Sequence, residues 1–153
     1  MTLTARKAVV VVTGTCAAVP PIEGLRDITI WDNRDVIAAK RIPARLLVLG
    51  GGVVSSEMAQ AYRRLCAREV TIVEMAGRLL PAEEPFVGAE LIEAFEAVGI
   101  RVLTGAKVTR TVRESSDGPV TLVLHDGTEV VGDELLVAVR RPAPKTSAWR
   151  PSD

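Results

Sequence analysis

The apolar run Leu46-Leu47-Val48-Leu49 breaks into Gly50-Gly51-Gly52, after which the period of the apolar residues changes. This junction constrains the fold more than any other feature of the chain. A continuous apolar run of this length belongs to a strand covered on both faces. Val54, Met58, Ala61, Tyr62 and Leu65 then recur at helical spacing, which predicts a helix over about 53–66. Residues 69–74 are rich in β-branched side chains and predict the next strand. Pro85 opens a second helix with the stripe Val87, Leu91, Ile92, Phe95 and Val98, and Gly99 stands where a helix C-cap belongs. Residues 100–103 return as a third strand. Right-handed crossovers make the three strands parallel neighbours.

The rest of the chain is built around this core. Residues 8–12 read as a strand closed by Thr13-Gly14-Thr15, and residues 19–25 as a connector stiffened by Pro20 and Pro21. Asp32 is placed to cap a short helix through Ala39, with Asp35 favouring its first turn. Past the third strand the pattern alternates. Strands are expected over 106–113, 120–124 and 128–131, separated by turns at 115–118 and at His125-Asp126-Gly127. A last apolar run over 134–139 is expected to rejoin the parallel sheet. The fold class is therefore α/β: a Rossmann-like parallel sheet with a β-α-β-α-β core plus an antiparallel β-meander. Residues 142–153 are expected to form a flexible tail.

Composition narrows the function classes. Apolar residues make up 48% and charged residues 25%, as in an ordinary globular domain, and the formal net charge is +0. No basic footprint for nucleic acid or an anionic membrane follows from that balance, and 3% aromatic content supplies few stacking platforms. No segment approaches the ~20 apolar residues needed to span a bilayer, so a soluble, cytoplasmic protein is expected. Cys16 and Cys66 form no C-x-x-C motif or ligand cluster and read as two thiols in a reducing compartment, although sequence leaves their pairing open.

The glycines carry the chemistry. Gly50-Gly51-Gly52-Val53-Val54-Ser55 reads as G-x-G-x-x-S between a strand and a helix, the context a dinucleotide-binding fingerprint requires. Gly50 permits the tight turn, and Gly52 lets backbone come close to a pyrophosphate lying against free N–H groups at the helix start. The third position governs how closely helix and strand pack, and Ser55 in place of glycine or alanine is expected to loosen that packing. Glu74 ends the next strand, about 20 residues on, where a carboxylate accepts from both adenine-ribose hydroxyls and repels a 2′-phosphate. That favours NAD over NADP; the alternative is a solvated strand-end glutamate. Met75, beside Glu74, completes the candidate cofactor site. Glu57 either faces the nicotinamide end of a dinucleotide or complements the helix dipole. His125 reads as a turn residue and Arg78 as a loop residue.

The order of these pieces resembles the NAD-binding domain of the flavin-dependent pyridine nucleotide–disulfide oxidoreductases. The resemblance covers nearly the whole chain. It runs from Val11-Val12-Thr13-Gly14-Thr15 and Pro20-Pro21-Ile22-Glu23-Gly24-Leu25, through Leu47-Val48-Leu49-Gly50-Gly51-Gly52 and Glu57, to Val70-Thr71-Ile72-Val73-Glu74. It continues through Arg78-Leu79-Leu80-Pro81 and Asp126-Gly127 to Leu135-Leu136-Val137-Ala138. It implies that Gly50, Gly52, Val53 and Val54 meet the phosphates and sugars of NAD(H), Glu57 its nicotinamide half and Glu74 its adenine ribose. It further implies hydride transfer to FAD in complete relatives, with residues 1–14 belonging to a flavin domain there and 15–141 forming the pyridine-nucleotide domain.

The chain departs from that family's pattern in several places. It carries no second glycine fingerprint for FAD, no C-x-x-x-x-C pair and no C-terminal dimerisation domain. Ala138-Val139-Arg140-Arg141 stands where the family usually has alanine-threonine-glycine-arginine, and Cys16-Ala17 where a polar residue is common. The expected partners are therefore NAD(H), a separate flavin-bearing chain, and a second copy recruited through the strand at 8–12, giving a homodimer. The chain is expected to be incomplete as a catalyst. The competing readings are a non-enzymatic NAD-binding module and a degenerate fold kept for protein contacts.

Overall fold

The computed structural model describes residues 7–8 and 18–139. The strand expected at 8–12, Cys16 and the tail from 140 onward lie outside the described residues, apart from Ala8. The described elements are α1 (Asp35–Ala38), β1 (Arg45–Leu49), α2 (Val53–Arg64), β2 (Glu69–Val73), α3 (Pro85–Ala97) and β3 (Ile100–Leu103). They are followed by β4 (Val108–Arg113), β5 (Val120–Leu124), β6 (Glu129–Gly132) and β7 (Glu134–Val137).

The parallel sheet has four strands in the order β3-β2-β1-β7, and β4-β5-β6 form a separate antiparallel sheet. The last strand does rejoin the parallel sheet: Leu46 to Leu49 of β1 register with Glu134 to Val137 of β7. The apolar runs are explained by what covers each face. Leu47, Leu49, Val73, Leu135 and Val137 pack with Val108, Val120, Leu122, Leu124 and Val130 of the meander and with Leu25. Their neighbours in sequence, Leu46, Val48, Ile72 and Leu136, point the other way, against Ala59 and Tyr62 of α2 and Phe95 of α3. Alternate side chains thus enter two cores, one on each side of the sheet. The result is three layers: helices, parallel sheet and meander.

Three details differ from expectation. The first helix is shorter than predicted, ending at Ala38. Its start is fixed by reciprocal bonds, with Asp32 Oδ1 accepting from the Arg34 and Asp35 N–H groups and Asp35 Oδ2 accepting from Asp32 N–H. These backbone donors hold the Asp32 carboxyl below the usual range. The second difference is the buried face of α2, which comprises Ser55, Ser56, Ala59 and Tyr62, while Leu65 is exposed. Small side chains at 55 and 59 let the helix sit close on the sheet, and this turns the apolar stripe toward the helix edge. Third, α2 stops at Arg64 in a Schellman-type cap: Ala67 N–H donates to Tyr62 O (3.0 Å) and Cys66 N–H to Arg63 O (3.3 Å). That cap places Cys66 at φ 70°, off the helix, as an exposed free thiol. In α3, Phe95 is buried but Val98 is exposed; Gly99 takes the expected capping place, its N–H donating to Glu96 O.

The connector over 18–34 is tied to the layers by a residue that sequence reasoning did not single out. Arg113 on β4 has a side chain only 3% exposed. It donates to Gly118 O, Thr29 O and Asp133 O, and pairs with Glu134 Oε2 at 2.9 Å. Trp31 meets the outer edge of β7, its N–H donating to Leu135 O while Val137 N–H donates to Trp31 O.

Candidate dinucleotide site

The site forms where the sheet reverses its winding. From β1 the chain crosses through α2 to β2 on one side, whereas β7 lies on the other, so the strand order switches at the carboxyl ends of β1 and β7. Ligands of open α/β sheets bind at such switch points. The Gly50 N–H donates to Val73 O and the Ala138 N–H to Leu49 O, each at 2.9 Å, so β1 is held on both sides up to its last residue. The chain then turns at Gly50, whose φ of 110° is unfavourable for any residue with a side chain. A Cβ there would also lie 2.8 Å from Ala138 O.

The loop is fastened at Gly51. Its N–H donates to Glu74 Oε2, and its carbonyl accepts from Leu80 N–H at 2.8 Å. The other Glu74 oxygen, Oε1, accepts from Ala76 N–H at 2.6 Å. Glu74, half-buried at the end of β2, is therefore fixed against the glycine loop. An ionised carboxylate offers about four lone-pair sites, so these two bonds leave acceptor capacity for further donors. Leu79, fully buried, packs on Gly51 from the 78–81 loop. Arg78 donates to Pro81 O within that loop, in keeping with its reading as a loop residue.

Gly52 differs from its neighbours. Its φ of −83° and ψ of −174° suit any residue, and an added Cβ would meet nothing within 4 Å among the described residues. It is the N-cap of α2, yet no side chain caps the helix. The first backbone bond of the helix runs from Ser56 N–H to Gly52 O, which leaves the N–H groups of Val53, Val54 and Ser55 without a partner among the described residues. These donors and the dipole of α2 make a local positive end.

The predicted site residues separate into two groups. Gly51 is bonded to Glu74, Gly50 and Ser55 both meet the Ala138 carbonyl, and Gly52 accepts the first bond of α2. Val53 and Met75 are 55% and 68% exposed, Val54 is half-buried, and Glu57 is exposed with no hydrogen bond or ion pair among the described residues. The packing that Ser55 was expected to loosen is closed: the residue is 0% exposed and its hydroxyl reaches Ala138 O at 3.4 Å. Sequence reasoning missed Ala138, Leu79 and Leu80 as parts of the loop's support; only the apolar character of the 78–81 loop hinted at one of these contacts. His125 lies in an exposed turn, as expected, with its N–H donating to Lys107 O.

A separate cleft of about 650 Å³ lies at the opposite end of the sheet, between the carboxyl ends of α2 and α3. Its wall includes Arg63, whose guanidinium is spent on the carbonyls of Val98, Ala67 and Arg68. It is distant from the glycine turn and shares no residue with it. Among the described residues, no group of acidic, histidine or cysteine side chains could hold a metal ion, and no helix is long and apolar enough to cross a membrane.

Comparison with known proteins agrees with this architecture. The family model described as pyridine nucleotide-disulphide oxidoreductase matches residues 2–149. A mercuric reductase of Shewanella putrefaciens is 38% identical over 135 residues, covering 88% of this chain and 23% of the relative. A dihydrolipoyl dehydrogenase of Thermus scotoductus is 39% identical over 118 residues, covering 74% of this chain and 25% of the relative. Among solved structures, the HOCl-induced flavoprotein disulfide reductase RclA from Escherichia coli, as its Cu(II) complex, superposes with a TM-score of 0.78 at 26% identity. That match covers 88% of this chain and 31% of the other. The chain thus spans about a quarter of the length of the curated relatives it matches. With its glycine turn, its switch point and a family match along nearly its whole length, the chain belongs to the pyridine nucleotide–disulphide oxidoreductase family.

Proposed function

We propose that this chain is the NAD(H)-binding unit of a flavoprotein oxidoreductase, holding NADH for hydride transfer to an FAD carried by a flavin-bearing chain. The observation that supports this reading best is the bare backbone at Gly52. Nothing among the described residues requires glycine there, since its dihedrals are ordinary and its Cβ direction is open. Serine or aspartate would cap α2 better. A capping side chain would, however, take up the N–H of Val54 or Ser55, where a pyrophosphate fits.

In this reading Gly50 and Gly51 shape the turn, and Gly52 and the backbone N–H groups of Val53, Val54 and Ser55 surround the phosphates. Glu74 accepts from the adenine-ribose hydroxyls with its remaining lone pairs, beside the exposed Met75. Glu57, on the exposed side of α2, faces the nicotinamide half. When bound, NADH supplies the hydride and the flavin accepts it. This chain's own part is to hold the dinucleotide and fix its direction across the sheet edge. A second copy joining through residues 8–12 completes the proposal.

Titration calorimetry of the full chain tests the reading. NADH is expected to bind with a Kd on the order of micromolar, and NADPH at least ~10-fold more weakly because Glu74 repels the 2′-phosphate. Silence with both cofactors up to millimolar concentration would overturn the proposal and leave a fold kept for protein contacts.

A further inference from the structure

We infer that Ser55 is a positioning residue for the nicotinamide half of the dinucleotide, acting through the Ala138–Val139 peptide; the inference rests on the NAD(H) function proposed above. Ser55 occupies the third position of the glycine fingerprint, where its hydroxyl is 0% exposed and cannot turn to water. Its partner is Ala138 O, 3.4 Å away. The carbonyl four residues back, where a helical serine ordinarily bonds, is Gly51 O, which accepts from Leu80 N–H at 2.8 Å, and the Ser55 hydroxyl bonds Ala138 O instead. Ser56, one residue on, does make the ordinary local bond, to Gly52 O at 3.1 Å. The two serines therefore have different tasks: Ser56 closes its own helix turn, and Ser55 joins the helix to the chain leaving β7.

That departing peptide is held from three directions. The Ala138 N–H donates to Leu49 O at 2.9 Å, its carbonyl accepts from Ser55, and the peptide lies on Gly50. A Cβ on Gly50 would touch Ala138 O, Ala138 C and Val139 N at 2.8, 3.1 and 3.3 Å, so the whole peptide plane covers that glycine. Described peptide bonds are trans. Drawing the Ala138 carbonyl toward α2 therefore turns the Val139 N–H the opposite way, out from the helix.

Strand order decides which half of a dinucleotide this affects. Glu74 ends β2, on one side of β1, and Ala138 follows β7, on the other. A dinucleotide centred on Gly52 with its adenosine at Glu74 must lay its second nucleotide across the end of β7. Loosening the Ala138–Val139 peptide should accordingly be felt by the nicotinamide half and not by the adenosine half.

The test compares NADH with ADP-ribose, which keeps the adenosine and pyrophosphate but lacks nicotinamide, on the full chain and on Ser55→Ala. ADP-ribose reports on the folded fraction and the phosphate site of each protein, so the ratio of the two dissociation constants is insensitive to a general loss of structure. Ser55→Ala is expected to weaken NADH about 3- to 10-fold, the scale of one lost neutral hydrogen bond, and to leave ADP-ribose unchanged. Restoration of the wild-type ratio in Ser55→Thr would support the hydroxyl as the acting group. If the unsubstituted chain binds both ligands and Ser55→Ala leaves their ratio unchanged, this inference falls and the NAD(H) proposal stands. If the unsubstituted chain binds neither, both fall.

Discussion

Replacing each of the three loop glycines by alanine should produce three different stability losses, because a methyl group meets different surroundings at each position. At Gly50 it meets Ala138 O at 2.8 Å, the carbonyl of a residue whose N–H is bonded to β1, and it must adopt a φ of 110°. Left-handed strain and overpacking each cost about 1–3 kcal/mol, so Gly50→Ala should lose roughly 2–6 kcal/mol. At Gly51 the methyl meets Glu74 Cγ and Leu79 Cδ2, both at 2.8 Å. The glutamate can swing aside, giving up its bond from Gly51 N–H, and the loss should be about 1–3 kcal/mol. At Gly52 it meets nothing within 4 Å. Alanine caps a helix less well than glycine but restricts the unfolded chain, and these effects offset to within about 0.5 kcal/mol. At ~2–4 °C per kcal/mol for a chain of this size, Tm should fall by at least ~4 °C, by ~2–12 °C and by less than ~2 °C, respectively. Scanning calorimetry, with urea midpoints as a second measure, reads all three. A Gly52→Ala protein as unstable as Gly51→Ala would refute the claim that nothing in the fold needs glycine at 52.

Two further predictions concern the frame around the site. Burial pushes the Asp133 carboxyl up, but bonds from the Arg45 guanidinium and N–H outweigh it and hold it below the usual range. Its stabilising contribution is therefore full above ~4, the unfolded carboxylate value, and is lost as pH falls through the lowered folded value. The pair is about a third exposed (36% and 35%). Asp133→Asn should thus cost about 1 kcal/mol at pH 7, with the gap in urea midpoint closing as the pH falls below ~4; a gap that widens in acid would contradict this. Cys66 holds φ 70° at the α2 cap, so Cys66→Gly should stabilise by about 0.5–1 kcal/mol, read as a higher Tm.

The parts of the fold legible in the sequence are those set by local pattern. The strands at 46–49, 69–74 and 100–103 showed as apolar runs because meander and helices cover opposite faces of the same residues. The glycine turn, Glu74 and the Pro85 and Gly99 boundaries were legible because each rests on a backbone requirement within a few residues. Contacts made by distant segments were not. Arg45 and Asp133 are 88 residues apart, and Ser55 and Ala138 are 83 apart. Arg113 carries no local sign that its guanidinium will join the connector, a hairpin turn and the start of β7. The inward face of α2 was misread because hydrophobicity was taken to mark burial. At 55 and 59 small size marks it instead, since close approach to the sheet matters more there than apolar area.

The most direct test of the central claim is NADH binding to Gly52→Ser, measured by calorimetry beside its thermal stability. Serine is a better N-cap than glycine and its Cβ enters open space, so the variant should melt at or slightly above the temperature of the parent chain. It should nevertheless lose NADH affinity by at least ~10-fold, because the side chain stands where the pyrophosphate would approach the backbone. An equally stable variant that binds NADH as tightly as the parent would contradict the account.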